Sequence, residues 1–261
     1  MRRITSAENP RFRALLKLHE SSRERRKAGL SLLDGVHLVS TYVERVGAPE
    51  DLVINASHAE EPEVATILRG PLAGEPIVLS DALFRQLSSV STPTGVIAAV
   101  RTPRPQGIPG SPGPCVLLED LQDPGNLGSI LRSAAAAGVE EIYLSRKCVQ
   151  AWSPRVLRAG MGAHFSVRIY EDVDLEAFTA AYRGRVFAAA ADGGTPYYEA
   201  DLAGRTALLF GNEGAGLTRE LRDRAHAAIS IPMPGGVESL NVAAAAAVCL
   251  FERVRQMAQK G

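Results

Sequence analysis

Three strand–turn–helix junctions in the second half of the chain constrain its fold more than any other feature. They read Asp123-Pro-Gly-Asn-Leu-Gly-Ser-Ile-Leu-Arg132, Leu208-Leu-Phe-Gly-Asn-Glu-Gly-Ala-Gly-Leu217 and Ile231-Pro-Met-Pro-Gly-Gly-Val-Glu-Ser-Leu-Asn241. Each joins the end of a predicted strand to a glycine-rich turn and then to a helix. Open α/β sheets bind their ligands at such turns, beyond the carboxyl ends of the strands. We therefore predict that the three turns converge on one composite site.

A segment rich in proline and glycine divides the chain. Residues 101–114 contain five prolines and three glycines, a composition that disfavours regular structure and is typical of an exposed linker. Short apolar runs alternate with helical spacing on both sides, which predicts two α/β domains. We expect a small domain over 1–103, a linker over 104–114, and a doubly wound domain with a parallel sheet over 115–261.

Two helices carry specific expectations. Apolar residues recur at helical spacing from Pro10 to about Arg26, which predicts a helix with cationic positions interleaved. A long closing helix is predicted from Asn241 to about Gln259. Its expected apolar stripe is Ala243, Ala247, Leu250, Val254 and Met257, with Glu252, Arg253, Arg255 and Lys260 off that face.

Charge and cysteine content exclude several classes of protein. The formal net charge of the 261 residues is zero, but residues 1–30 contain nine basic and only three acidic side chains. The three cysteines are widely spaced, and neither they nor the five histidines show metal-ligand spacing, so we expect no disulfide framework and no metal site. No run approaches the ~18 apolar residues of a membrane span, and no apolar segment of the signal-peptide kind follows the basic N-terminus. These patterns predict a cytoplasmic protein.

Each junction, taken alone, has a structural interpretation beside a functional one. Arg132 lies four residues after Gly128 on one helix face, where it could bind a phosphate or simply be solvated. Asn126 could merely cap that helix. The glycine spacing around Glu213 fits neither a dinucleotide fingerprint nor a phosphate loop, so this carboxylate is either idle or directed into a site. Ser239 and Asn241 could simply cap the closing helix.

Together the junctions are far more specific. The patterns N-x-G-x-x-x-R, F-G-N-E-G-x-G-L and I-P-M-x-G-x-x-E-S-L-N-V-A, in this order, closely resemble the three motifs of the SpoU (TrmH) family of the SPOUT superfamily, over residues 115–258. Upstream, Asn9-Pro-Arg-Phe and Asp34-Gly35-Val-His-Leu-Val resemble the family's small L30e-like RNA-binding domain, although the family usually has Glu-Gly where this chain has Asp34-Gly35.

The resemblance implies an S-adenosylmethionine-dependent RNA ribose 2′-O-methyltransferase. It also implies a deep trefoil knot in the C-terminal part of the chain, one of the rare exceptions to unknotted topology, and a homodimer whose closing helices pack together with the active sites at the interface. By similarity, the catalytic residues are Asn126, Arg132, Glu213, Ser239 and Asn241. The residues that line the cofactor pocket, largely through backbone groups, are Leu209, Gly211, Ile231, Met233 and Leu240.

Given this family, the basic N-terminal segment is a candidate RNA-binding surface, with a solvated helix face as the alternative. Its residues are Arg11, Arg13, Lys17, Arg23, Arg25, Arg26 and Lys27. Ribosomal RNA is the favoured substrate. Transfer RNA and methylation of ribosomal RNA against an antibiotic are alternatives, and so are a catalytically silent RNA-binding protein and a methyltransferase for small molecules or proteins.

Overall fold

The computed structural model describes residues 1–191 and 193–260, and these form two compact units. The first unit comprises Met1–Pro103 and Trp152–Phe165, and the second comprises the other described residues. The helices in chain order are α1 (Pro10–Glu20), α2 (Ser22–Ala28), α3 (Val36–Arg45), α4 (Pro62–Leu68), α5 (Asp81–Leu87), α6 (Pro124–Ala136), α7 (Pro154–Gly160), α8 (Leu175–Ala181), α9 (Arg219–Arg224) and α10 (Val242–Lys260). The strands are β1 (Arg2–Ile4), β2 (Leu30–Asp34), β3 (Asp51–Asn55), β4 (Ile77–Leu79), β5 (Val96–Arg101), β6 (Cys115–Leu118), β7 (Glu141–Leu144), β8 (Arg168–Tyr170), β9 (Arg185–Ala189), β10 (Thr195–Pro196), β11 (Thr206–Phe210) and β12 (Ala227–Ser230).

The first unit is built on a mixed sheet with the strand order β1-β4-β3-β5-β2. β4 runs parallel to β1 and β3, whereas β5 is antiparallel to β3 and β2. Phe12 of α1 and Phe84 of α5 are fully buried in its core. α7 packs against β2. Residues 152–165 therefore pack with the first unit although they follow the linker in sequence.

The helix predicted from Pro10 to about Arg26 is two helices. Ser21 interrupts it with extended backbone (φ −123°, ψ 118°), and its side chain accepts the Glu24 N–H in the first turn of α2. Serine competes well with helix continuation because its hydroxyl can satisfy a backbone donor at a helix start. α2 then ends at Gly29, whose φ of 65° is a left-handed conformation that glycine adopts without strain.

The second unit is built on a parallel seven-stranded sheet with the order β10-β12-β9-β11-β6-β7-β8. Its strands are mostly apolar and buried, as in parallel sheets that are covered by helices. On one side of β6 lie β7 and then β8, in chain order. On its other side lies β11, followed in the sheet by β9 and then β12. This reversal of strand order creates a switch point between β6 and β11, where such folds form their binding crevice. The predicted α/β class with a parallel sheet is confirmed.

The face that α10 buries differs from the predicted stripe. Ala243 and Leu250 are buried as expected, but Met257 is 42% exposed while Glu252 and Arg253 are buried. The polar side chain of Gln256 faces inward, where its Oε1 accepts the Leu202 N–H at 2.8 Å and its Nε2 donates to a backbone carbonyl. This polar side chain of α10 is buried because the backbone groups that it faces are themselves buried and need hydrogen-bond partners.

Candidate functional site

A cleft opens in the second unit at the carboxyl ends of β9, β11 and β12. Its volume is about 430 Å³. Phe210 and Ile229 form part of its apolar floor, and the loops that follow β11 and β12 form its rim. Val242, Ala245 and Cys249 of α10 close one side. Their spacing of three and four places them on one helix face.

A chain of hydrogen bonds joins the three junctions at the rim of this cleft. The Asn126 side chain in the first turn of α6 donates to Glu213 Oε1 at 3.1 Å, and its Oδ1 accepts a hydrogen bond from Asn241 Nδ2 at 2.9 Å. Asn241 Oδ1 in turn accepts the Ala243 N–H at 2.9 Å at the start of α10. The structure therefore brings together Asn126, Glu213 and Asn241, one from each junction.

Glu213 is the anchor of this chain. Its Oε1 also accepts the Asp123 N–H at 2.9 Å, and its Oε2 accepts the Gln122 N–H at 3.2 Å. Partial burial favours the neutral acid, but the hydrogen bonds from Asp123, Asn126 and Gln122 stabilise the carboxylate more and lower the pKa of Glu213. Among the described residues that line the cleft, Glu213 is the only one with a charged side chain. It is ionised at neutral pH and is committed to holding the loops.

The helix cap at α6 is not Asn126. Asp123 performs that role, because its Oδ1 accepts the Asn126 N–H at 2.8 Å and Pro124 occupies the first helical position. This leaves the Asn126 side chain free to bridge Glu213 and Asn241. Asn241, by contrast, both caps α10 and takes part in the bridge.

The glycine-rich turn after β11 is a tight loop held by Asn212, which is not among the predicted site residues. Asn212 Oδ1 accepts the N–H groups of Gly214 and Ala215, both at 3.0 Å, while its Nδ2 donates to the Asp120 carbonyl at 2.8 Å. An asparagine that bonds the backbone two and three residues ahead is typical of such turns, so the Asn-Glu-Gly order was the available signal. Gly211 is required for a steric reason, since a Cβ there would lie 2.2 Å from the Gly216 carbonyl carbon.

The third junction supplies an apolar and largely open wall. Ile231, Met233 and Leu240 line the cleft, and their backbone N–H groups donate no hydrogen bond to any described residue. Ser239 also lines the cleft, with an exposed side chain. Burial raises the pKa of the neighbouring Cys249 to about 12, so its thiol remains neutral. This wall offers apolar contact together with unpaired backbone donors.

Two of the predicted site residues lie elsewhere in the second unit. Leu209 of β11 is fully buried in the hydrophobic core of the second unit. The next residue, Phe210, lines the cleft instead. Arg132 is exposed on α6 and is not among the cleft-lining residues. Its guanidinium makes no hydrogen bond or ion pair with the described residues, so it is available to an anion.

The basic N-terminal residues differ in accessibility. Arg11 is bound to Asp51, at 2.5 Å for the Nη2–Oδ1 pair, and Arg13 is bound to Glu8. Arg25 is only 5% exposed, and its Nη1 donates to the Leu18 carbonyl at 2.7 Å. The prediction that Arg25 belongs to an RNA-binding surface is therefore wrong, because a buried guanidinium cannot reach a phosphate. The exposed members of the set are Arg11, Arg13, Lys17, Arg23, Arg26 and Lys27.

The structure also bears on metals and membranes. Within residues 1–191 and 193–260, no group of three or more His, Cys, Asp or Glu side chains is arranged to hold a metal ion. No helix in that part of the chain is both long enough and apolar enough to cross a membrane.

Comparisons with known proteins match this architecture along nearly the whole chain. The model of the SpoU rRNA Methylase family matches residues 113–251, and that of the MRM3-like substrate binding domain matches residues 9–98. The chain is 32% identical to the 23S rRNA (uridine(2479)-2'-O)-methyltransferase of Streptomyces viridochromogenes, covering 98% of this chain and 92% of that protein. It is 29% identical to the 23S rRNA (guanosine(2553)-2'-O)-methyltransferase RlmP of Bacillus subtilis, covering 96% and 98% respectively.

Solved structures of this family have the same fold along nearly the whole chain. The crystal structure of the SpoU methyltransferase AviRb from Streptomyces viridochromogenes, in complex with the cofactor AdoMet, matches with a TM-score of 0.84 at 27% identity and covers 95% of this chain and 98% of that chain. The family model covers more than half of the sequence, and its motifs lie on the loops that meet at the cleft. The chain therefore belongs to the SpoU rRNA methylase family.

Proposed function

We propose that this protein transfers the methyl group of S-adenosylmethionine to a ribose 2′-hydroxyl of ribosomal RNA. The observation that carries the proposal is the hydrogen-bonded chain Glu213–Asn126–Asn241, which draws the three family motifs together at one cleft. The relatives named above act on 23S rRNA at ribose oxygens.

The cleft fits the cofactor. Ile231, Met233 and Leu240 provide apolar contact, and their unpaired backbone N–H groups suit the polar parts of a nucleoside. Gly211 keeps the turn beneath them compact. The cofactor supplies an electrophilic methyl group on a sulfonium centre. The protein must therefore exclude water, orient the ribose and remove the hydroxyl proton.

Arg132 is proposed to bind the phosphate beside the target ribose and so orient the 2′-hydroxyl. A guanidinium is almost never deprotonated, which disfavours Arg132 as a base, whereas its fork of donors suits a phosphate. The hydroxyl proton then leaves through that phosphate or a water molecule. Glu213 and Asn126 position the first loop, and Asn241 holds the third loop against Asn126. The exposed Ser239 lies on that third loop and lines the cleft.

A homodimer is the proposed assembly. On α10 the outward residues include Phe251, which is 49% exposed, and the half-buried Val248 and Val254. Their spacing of three forms an apolar stripe on the face opposite the core. A second copy packed on this stripe would bury it and bring the two sites to the interface. Replacing Phe251 with Asp should shift the protein to monomers in analytical ultracentrifugation; an unchanged dimer would remove this stripe from the interface.

Residues 1–103 are proposed to bind the RNA substrate, joined by the linker 104–114 to the transferase domain 115–261, with the exposed Lys17, Arg23, Arg26 and Lys27 along its phosphates. The chain around the cofactor loops is proposed to form the family's trefoil knot. The cytoplasm is the proposed location, in keeping with a ribosomal substrate.

Labelled methyl transfer tests the proposal. The purified protein and tritiated S-adenosylmethionine are incubated separately with ribosomal RNA, transfer RNA and total protein. We expect label in ribosomal RNA at a ribose, and label only in transfer RNA or protein would refute the proposed substrate. Arg132→Ala should reduce turnover by about 100-fold or more while the dissociation constant of the cofactor stays within about twofold. Near-normal turnover would rule out the role of Arg132.

A further inference from the structure

The loops along the cleft edge of the second unit are mostly acidic. Residues 119–123, 145–151, 171–174, 211–218 and 231–241 follow the carboxyl ends of β6, β7, β8, β11 and β12. Their acidic residues are Glu119, Asp120, Asp123, Glu171, Asp172, Asp174, Glu213 and Glu238, whereas their basic residues are Arg146 and Lys147 alone. RNA is a polyanion, so binding at this edge requires cations.

The loop that carries Arg146 and Lys147 is fastened to the first junction. The Ser145 N–H donates to the Leu118 carbonyl at 3.0 Å, and Ser145 Oγ donates to Asp120 Oδ1 at 2.7 Å. The Val149 N–H donates to the Leu121 carbonyl at 2.7 Å. These bonds fix the position of the basic tip, Arg146 and Lys147, which reduces the entropy lost when a ligand binds there.

The basic tip is also connected to the anchor of the site. Gln122 donates its side-chain amide to the Lys147 carbonyl and its backbone N–H to Glu213 Oε2, the latter at 3.2 Å. Gln122 therefore connects the Lys147 backbone to the Glu213 carboxylate through two hydrogen bonds.

Both basic side chains point to solvent. Lys147 Nζ lies 3.3 Å from Asp120 Oδ2, and the Lys147 side chain is 80% exposed. Arg146 is exposed and makes no hydrogen bond or ion pair with the described residues. Asp120 has a φ of 52°, a left-handed conformation that is uncommon outside glycine and is often retained at functional sites.

We propose that Arg146 and Lys147 form a phosphate-binding pair that holds the RNA strand beside the ribose to be methylated. This inference rests on the proposed function. The ligand is the phosphodiester backbone: the Arg146 guanidinium can bind one phosphate through two parallel N–H groups, and the Lys147 ammonium supplies a point charge for the next. Phosphate contacts fix register and orientation without reading sequence, so the pair positions the strand and does not select the nucleotide.

The test compares three double variants of the full-length protein with protein-free ribosomal RNA as the probe. For Arg146→Ala/Lys147→Ala we expect the KM for RNA to rise about tenfold while kcat stays within about twofold. The plot of log binding constant against log salt should become less steep by about 1.5, since each lost phosphate contact removes about 0.7 to 0.9 from the slope. The variant Arg146→Lys/Lys147→Arg preserves the charge and should retain the wild-type slope.

Arg183 and Arg205 provide the matched control. Both are exposed and lie just before β9 and β11, at the other end of the parallel strands. Arg183→Ala/Arg205→Ala should leave the KM and the salt slope unchanged. If Arg146→Ala/Lys147→Ala behaves like this control, the inference is overturned. It is also overturned if that variant weakens cofactor binding to the same extent as RNA binding, because the pair would then support the cleft. Failure of the wild-type protein to methylate ribosomal RNA would instead refute the proposed function.

Discussion

Replacing Glu213 with Gln changes the anchor of the three junctions while keeping its shape. The amide oxygen can still accept from the Asp123 N–H at 2.9 Å and from Asn126 Nδ2 at 3.1 Å. The new NH₂ group, however, would face two donors, the Gln122 N–H at 3.2 Å and Asn212 Nδ2 at 3.4 Å. Two hydrogen bonds to a charged acceptor are lost, and two donors are left facing another donor.

The expected cost follows from these contacts. Hydrogen bonds to charged groups contribute about 1.5–3 kcal/mol. Glu213 is mostly exposed and only partly buried, so solvent screens its bonds and we expect a total loss of about 1–2 kcal/mol in the free energy of unfolding. In a protein of this size that corresponds to a fall of roughly 2–8 °C in Tm. Methyl transfer should fall further, by about 100-fold in kcat/KM, because small displacements of positioning groups cost that much.

The loss should depend on pH with a defined sign. The pKa of Glu213 is lower in the folded protein than its ordinary value of 4.5, so its carboxylate stabilises the fold above that value. This contribution is lost as the pH falls through the lowered folded pKa. The difference in unfolding free energy between wild type and Glu213→Gln should therefore be full at pH 7 and shrink below pH 4.5.

Denaturant unfolding at several pH values and single-turnover methyl transfer measure these effects. Glu44→Gln is the control, since Glu44 is exposed in the last turn of α3 and remote in sequence from the three junctions. A Glu213→Gln protein with wild-type stability and wild-type kcat/KM would refute the role of this carboxylate as an anchor.

Three further outcomes are expected. Gly211→Ala should abolish cofactor binding in calorimetry, because its Cβ would lie 2.4 Å from the Leu217 nitrogen. Gly214→Ala should bind the cofactor normally, since its Cβ meets only Asn212 Oδ1 at 3.7 Å. Equal binding by both variants would contradict the steric argument. Arg25→Ala should lower the unfolding free energy by about 2 kcal/mol, because it removes a buried charged donor from the Leu18 carbonyl. It should leave the salt dependence of RNA binding unchanged. A flatter salt slope would show that Arg25 does contact RNA. Burial raises the pKa of Asp34 above 3.8 despite its hydrogen bonds from Ser89 and Ser88, so ionisation costs stability at neutral pH; Asp34→Asn should raise Tm at pH 7, and this gain should disappear as the pH falls towards 3.8.

The order and spacing of the three junctions were sufficient to predict that they converge at one candidate site and to predict the fold that carries them. A glycine turn at the end of an apolar strand is a local pattern, and parallel strands place their carboxyl ends on one edge. Asn126, Glu213 and Asn241 meet for this reason. Asn212 was missed because the sequence shows only that it lies within the turn. The four hydrogen-bond partners of its side chain become visible only when the loop is folded.

What the sequence determined by itself is the α/β class, the two-part organisation and the family motifs, since periodicity, turn chemistry and residue spacing are local properties. Only the tertiary structure decided which faces are buried. It removed Arg25 from the surface, turned Glu252, Arg253 and Gln256 of α10 inward, and packed residues 152–165 against β2. Helical spacing defines faces but does not determine which of them meets another element, because burial depends on the partners that the rest of the chain supplies.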